Sequence, residues 1–379
     1  MARKRRWFNA PLNLSPSVQN ITELCFPPDN SPSKVFIPVE LIADILSLLS
    51  VKAIVRFKCV SKSWNTLTSD SNFVDKHLKV SSQNPHLTVS WYEHIAGFNN
   101  VVPIAVHRLL KTQSAIIFNE DSRHRANSYE LVGSCNGLLC FVFNSWKKRW
   151  LRFWNPATRT RSEKFEFTFG YQFEFSFGFD PATRTYKVVA FHKENSEVKV
   201  FNLGDNCWRN IQNFPVVLHR FDHRYYIFSE HNNGVHFYGT INRLALDKST
   251  LIQQFVIVSL DLSTETYKQF MLPLGFDKVS SSQLVLRVFM DCLCISHLSN
   301  KTEFVLWKMK EYRVQESWAQ LFKINYHNLL MQHPIRIRML PMRNTDLDQL
   351  VCLYVNGDIV IFASTRCKQS FIYNLKKKK

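Results

Sequence analysis

Glycine is scarce in this sequence, with 10 residues in 379 against 31 phenylalanines. That shortage excludes a collagen-like or low-complexity chain. The glycine-rich runs that cradle phosphates are also missing, as is the H-E-x-x-H pattern of a zinc hydrolase. No long apolar run exists. The longest, near 284–298, is broken by Arg287 and Asp291, which excludes a bilayer-spanning helix. The basic MARKRR start has no apolar stretch behind it, so it does not read as a signal peptide, and a soluble protein is expected. The nine cysteines stand at irregular intervals, and no pair has the two-residue gap that lets two thiolates meet one zinc ion. Odd in number and unpatterned, they read as free thiols of a reducing compartment, cytoplasm or nucleus.

Acidic residues are few as well: 30 against 48 Lys and Arg, for a net charge of +18. Eight of the positive charges sit at the ends, in Arg3, Lys4, Arg5, Arg6 and Lys376 to Lys379. These read as solvated tails, with a nuclear-import signal as the sharper alternative. No basic stripe interleaved with aromatics lies between them, so nucleic acid is not indicated.

The rest of the composition is that of a globular chain, 45% hydrophobic and 21% charged. Its 14% aromatic content leans towards strands. Residues 1–34 carry Pro11, Pro16, Pro27, Pro28 and Pro32 and read as a flexible leader. A helical region follows at 35–80. Leu41, Ile45 and Leu48 recur at i, i+4, i+7, with Ile42, Leu46 and Leu49 as the adjoining row. Pro38 suits the first turn of that helix, and Ser50 and Ser61 are expected to cap a second and a third. Three short helices with apolar side chains on more than one face cannot cover them all internally. The excess predicts a partner.

From about residue 81 to 375 the pattern is short apolar strands punctuated by turns. Segments anchored on Trp154, Phe201, Leu260, Trp307 and Phe362 recur at intervals near fifty residues, the spacing of four-stranded propeller blades. The stretch Leu87 to Phe118 supplies a sixth. The alternative is simple recurrence of β-hairpins. A hexapeptide also repeats, Asn155-Pro-Ala-Thr-Arg-Thr160 and Asp180-Pro-Ala-Thr-Arg-Thr185. Asn or Asp before Pro is a type I turn signal, so both copies read as hairpin tips. The fold class is therefore α+β, three small helices followed by an all-β, six-bladed propeller-like domain.

The helical run resembles the F-box family, through Ile37-Pro38, Glu40-Leu41-Ile42, Ile45 to Leu49, Val51-Lys52 and Arg56 to Trp64, followed by Phe73 and Leu78. The later part resembles the F-box-associated domain of plant F-box proteins, often labelled F-box/kelch-repeat. Its carriers are Leu131 to Cys140, Trp154 to Arg159, Phe177-Gly178-Phe179-Asp180 and Tyr186-Lys187-Val188-Val189. Kelch repeats use paired glycines, and none occurs here. The resemblance implies a non-catalytic substrate receptor of an SCF-type cullin-RING ubiquitin ligase, without cofactor. Its F-box would dock on a Skp-type adaptor, and its β domain would hold a protein target. Ile37, Pro38, Leu41, Ile45, Leu46, Leu49, Val51, Ile54, Val60 and Trp64 are the expected adaptor-binding residues. A non-degradative F-box scaffold and a propeller binding a carbohydrate or small ligand stand as alternatives.

Target-binding residues are sought in the less patterned connections, 90–100, 120–128, 219–233, 242–250 and 325–349. Arg and Tyr dominate interface energetics, which singles out Arg224, Tyr225 and Tyr226. The positive charge favours an acidic target surface. His219 and His223 have a metal-compatible gap but no third ligand in sight. Cys135 with a distant His has the makings of a nucleophile pair, yet SCNGLLC reads better as a tight turn on Asn136-Gly137 leading into a buried strand.

Overall fold

The computed structural model describes residues 37–81, 86–93, 98–106, 110, 124–126, 129–144, 148–169, 172–218, 234–247, 254–273, 284–299, 303–325, 350–364 and 369–376. The described residues begin with four helices, one more than the sequence pattern suggests: α1 (Val39–Ser47), α2 (Val51–Phe57), α3 (Lys62–Ser69) and α4 (Ser71–Ser81). The two expected serine caps are present. Ser50 Oγ accepts from the Ala53 N–H at 3.4 Å and Ser61 Oγ from the Trp64 N–H at 3.1 Å. The unexpected helix starts the same way, with Asp70 Oδ1 accepting from the N–H groups of Asn72 and Phe73 at 2.9 and 3.4 Å. It supplies Phe73, which closes a small core with Leu46 and Ile54.

Among the described residues twenty-four strands follow, in six antiparallel sheets, each built from strands consecutive in the chain. Sheet I holds β1 (His86–Glu93), β2 (Phe98–Ala105) and β3 (His124–Ala126). Sheet II holds β4 (Tyr129–Cys135), β5 (Leu138–Asn144), β6 (Arg149–Asn155), β7 (Thr160–Arg161) and β8 (Phe165–Phe167). Sheet III holds β9 (Phe173–Asp180), β10 (Thr185–His192), β11 (Val198–Asn202) and β12 (Cys207–Ile211). Sheet IV holds β13 (Val217–Leu218), β14 (Val235–Phe237), β15 (Thr240–Asp247), β16 (Gln254–Asp261) and β17 (Tyr267–Met271). Sheet V holds β18 (Val285–Phe289), β19 (Cys292–Ser299), β20 (Glu303–Met309) and β21 (Trp318–Asn325). Sheet VI holds β22 (Leu350–Asn356), β23 (Ile359–Ser364) and β24 (Gln369–Asn374).

Apolar clusters join sheets II to VI each to the next rather than to one common centre. One spans II and III, another III and IV, and others IV and V, then V and VI. Val106 and Leu87 meet Ile361, Tyr354 and Ile372, which brings sheet I against sheet VI. The leading strands touch across the sheet boundaries: β4 with β9, β9 with β14, β14 with β18, and β18 with β22. They are therefore the innermost. Four of the five repeat anchors fall on the third strand of successive sheets, β6, β11, β16 and β20. Phe362 lies on β23, the second strand of its sheet, so the last interval runs between unlike positions.

Two connections expected to be loops are largely strand. Residues 90–93 lie in β1, 98–100 in β2, and 242–247 in β15. The polar residues there misled the pattern. Asn242 and Arg243 are fully buried, and each finds partners: Tyr312 Oη–H donates to Asn242 Oδ1 at 2.8 Å, while Arg243 donates to Ser176 Oγ at 3.2 Å and pairs with Glu174.

Both hexapeptides are hairpin tips, as expected, and they share one geometry. Asn155 Oδ1 accepts from the N–H groups of Ala157 and Thr158; Asp180 Oδ1 accepts from those of Ala182 and Thr183. Arg159 and Arg184, fifth in each copy, take φ of +58° and +54°. A third copy, Asp261 to Thr266, uses the same bonds to Ser263 and Thr264, with Glu265 at φ +58°. Sequence comparison misses it because only the first, fourth and sixth positions keep their chemistry.

The Asp180 copy differs in being buried. Its carboxylate lies 2.8 Å from Lys187 Nζ, which is also almost fully buried, and it accepts from Ser263 Oγ of sheet IV at 2.5 Å. Burial alone would push this carboxyl up. The hydrogen bonds from Lys187, Ser263 and Thr183, with the charge of Lys187, outweigh that and hold it well below the usual carboxylate range. Removing one partner of such a pair leaves the other charge stranded, at a cost of about 3–5 kcal/mol. Asp180→Asn is thus expected to destabilise the propeller by that order while preserving the turn, and Asn155→Asp to change stability little. Urea unfolding followed by tryptophan fluorescence compares the two.

Candidate functional site

The two apolar rows of α1 have opposite fates. Ile42, Leu46 and Leu49 turn inward to the helical core. Leu41, Ile45 and Leu48 turn outward, with 52%, 57% and 73% of their surface exposed. Ile37, on the approach to α1, and Val60, beyond α2, add further exposed apolar area, as do Val55 on α2 and Val74 on α4. Seven large apolar side chains stand uncovered on four short helices that already own a core. Single exposed apolar residues are ordinary, but a contiguous row on one helix face marks a surface made to be covered.

The expected adaptor-facing residues divide accordingly. Ile37, Pro38, Leu41, Ile45 and Val60 are exposed. Leu49, Val51 and Trp64 are half-buried, and Leu49 and Trp64 pack on the helical core. Leu46 and Ile54, at 3% and 6% exposure, lie within the helical core. Leu48, Val55 and Val74 were not singled out. Leu48 follows Leu41 and Ile45 at helical spacing, so its signal was there to read; Val74 sits on the helix the pattern did not assign.

On the propeller, Arg224, Tyr225 and Tyr226 lie outside the described residues, as do His219 and His223. On either side of them, Leu218 on β13 pairs with Ala245 and Val235 on β14 pairs with Asn242, both on β15. Of the five expected variable connections, 94–97, 120–123, 127–128, 219–233, 248–250 and 326–349 also lie outside the described residues.

Cys135 does have a histidine beside it. Its Sγ is 3.5 Å from His236 Nδ1, and His236 Nε2 is 3.0 Å from the Phe179 carbonyl oxygen. The carbonyl can only accept, so Nε2 carries the proton and Nδ1 takes the thiol's. The arrangement ties β4, β14 and β9 together across three sheets. Gly178 makes it possible, since a Cβ there would lie 2.5 Å from the imidazole ring. Burial pushes the Cys135 thiol up to about 12 and pulls His236 below its ordinary value. The resting pair is neutral and sealed, the reverse of an activated nucleophile. Asn136 and Gly137 form the tight turn after it, with φ of +49° and +76°. Among the described residues no cluster of three or more His, Cys, Asp or Glu side chains could hold a metal ion. No described helix is long and apolar enough to cross a membrane.

Residues 76–378 match the F-box associated beta propeller domain, and residues 36–76 the F-box domain. The chain belongs to the F-box proteins with an associated β-propeller. Its curated relatives include an F-box/kelch-repeat protein of Arabidopsis thaliana, 26% identical over 308 residues that cover 76% of this chain and 79% of the relative. The F-box protein CPR1 of the same plant is 26% identical over 320 residues, covering 76% and 73%. Among solved structures, TolB from Acinetobacter baumannii aligns with a TM-score of 0.39 at 9% identity, covering 83% of this chain and 70% of that one. The β-propeller domain of the Trilobed protease from Pyrococcus furiosus gives 0.34 at 9%, covering 76% and 89%. At that level the likeness carries no functional information.

The interior histidine of this F-box protein gives its propeller a pH dependence. The folded-state pKa of His236 lies below the ordinary 6.5, so the unfolded chain takes up a proton first as the pH falls. Stability is expected to hold above pH 6.5 and to decline below it until the folded histidine also protonates. His236→Gln should flatten that decline, as measured by thermal unfolding between pH 7.5 and 5.

Proposed function

We propose that this F-box protein is the substrate-recognition subunit of an SCF-type cullin-RING ubiquitin ligase. The uncovered apolar row of α1 carries the reading: covering one such side chain is worth about 1.5–3 kcal/mol, enough for a handful to hold an adaptor. The Skp-type adaptor docks on Leu41, Ile45 and Leu48, with Ile37, Pro38, Val51 and Val60 at the margins and Leu49 and Trp64 backing them. The propeller holds a protein target, with Arg224, Tyr225 and Tyr226 on the binding face, in the stretch of sequence between β13 and β14. The receptor performs no chemistry. It raises the effective concentration of target lysines at the ubiquitin-carrying end of the complex. Its free cysteines, Cys59, Cys135, Cys140, Cys207, Cys292, Cys294 and Cys352, suit cytoplasm or nucleus.

A double Leu41→Ala, Ile45→Ala variant is expected to lose co-purification with a Skp-type adaptor while keeping its helix content and thermal midpoint. Leu46→Ala, by contrast, should unfold the helices at a cost of about 2–5 kcal/mol. Adaptor retained at the parental yield by the double variant would refute the assignment. Replacing Arg224, Tyr225 and Tyr226 together by Ala should leave the adaptor bound and reduce target capture, read by quantitative mass spectrometry of retained proteins.

A further inference from the structure

The F-box helices and the propeller meet through a specific ion pair. Arg184, at the β9–β10 tip, donates from Nη1 to Asp75 Oδ2 at 2.8 Å and from Nη2 to Asp75 Oδ1 at 3.0 Å. Asp75 lies on α4. Two parallel bonds between a planar guanidinium and a planar carboxylate fix direction as well as distance. The side chain is also aimed by its backbone. Arg184 takes φ +54° in a turn whose first residue, Asp180, is buried and anchored to Lys187 and to Ser263 of the next sheet. The molecule contains its own control. Arg159 occupies the same place in the other hexapeptide, with φ +58°, and meets no carboxylate among the described residues.

We propose that Arg184 is a positioning residue: by clasping Asp75 it sets the angle at which the F-box helices stand on the propeller. Given the ligase reading above, on which this second step rests, that angle decides which lysines of a bound protein face the adaptor end. Both side chains are about half exposed, at 46% and 51%, so the clasp is open to salt. At 1 M ionic strength the screening length falls to about 3 Å, and the pair weakens accordingly.

The distance between the two domains tests the first step directly. Cys59 and Cys207 are exposed free thiols, one in the F-box and one on the propeller. Spin labels on these two, in a full-length chain with Cys25, Cys292 and Cys367 replaced by Ser, report the angle as a distance distribution. A single narrow peak is expected, lost in Arg184→Asn and in Asp75→Arg, and lost in 1 M NaCl. Combining Arg184→Asp with Asp75→Arg should restore it. Arg159→Asn imposes the same change on an equivalent left-handed residue and should leave the peak intact. A distribution unchanged by Arg184→Asn, or equally broadened by Arg159→Asn, would overturn the proposal.

The second step is read in the assembled ligase, with the receptor's own lysines as the probe. Arg184→Asn should redistribute ubiquitin among Lys148, Lys193, Lys268 and Lys376, mapped by peptide mass spectrometry, with adaptor retention unchanged. An unchanged pattern beside broadened distances would overturn the positioning of lysines. If the parental complex modifies no lysine at all, the ligase reading fails, and the distance measurement still decides whether Arg184 sets the angle.

Discussion

A single buried carboxylate, that of Asp180, connects the turn, the ring and the F-box. It closes its own hairpin by accepting two backbone N–H groups, neutralises the buried Lys187 and binds a hydroxyl of the neighbouring sheet. A buried ammonium without such a partner is expensive enough to empty the site. The charge of Asp180 is therefore what permits Lys187 on the strand that carries the buried Val188 to Phe191. Lys187 in turn lies 3.5 Å from Glu265, which pairs with Arg209. An ionic chain thus links the β9–β10 tip, β10 and β12 of sheet III to the third hexapeptide in sheet IV. The motif residues Phe177 to Asp180 and Tyr186 to Val189 owe their joint presence to this chain: one supplies the anion and the other the cation.

The same logic explains why the ring is built from pairwise seams. Each sheet buries an apolar face against each neighbour, and the few polar side chains that enter those seams arrive with partners. Tyr312 from sheet V accepts this role beside Asn242, Thr240 and Ser259 of sheet IV. Arg243 crosses to Glu174 and Ser176, with Phe191 beneath its guanidinium. Burial lowers the pKa of that arginine and the Glu174 carboxylate works against the fall. Such contacts are directional where apolar packing is not, and they fix the register of one sheet against the next.

Much of this was legible in the sequence where spacing alone carries the information. The rows of α1, the serine caps and the Asn/Asp-Pro tips follow from local geometry and stand where expected, and the interval near fifty residues does so for four of its five anchors. What resisted reading was set by neighbours distant in sequence. Nothing near Leu46 or Ile54 says that Phe73, on an unassigned helix, will cover them. Asn242 and Arg243 look like loop residues until Tyr312 and Glu174 are beside them. The scarcity of glycine misleads in its own way, since the left-handed turn positions are filled instead by Arg159, Arg184, Glu265, Tyr238 and Met290. Asn and Asp are the residues ordinarily found there after glycine.

The clasp between Asp75 and Arg184 also has a bearing on how the ring keeps its first blade. The chain enters the ring at β1 in sheet I, and the helices are pinned again at the tip of sheet III. The F-box is thereby a strap across the start of the circle, binding two blades that do not adjoin. In an array where each unit touches only its neighbours, fraying begins at the open ends, and an external strap shortens the free end. A receptor trimmed of its F-box loses the strap together with the adaptor site. Its leading blade then depends on side-chain packing alone.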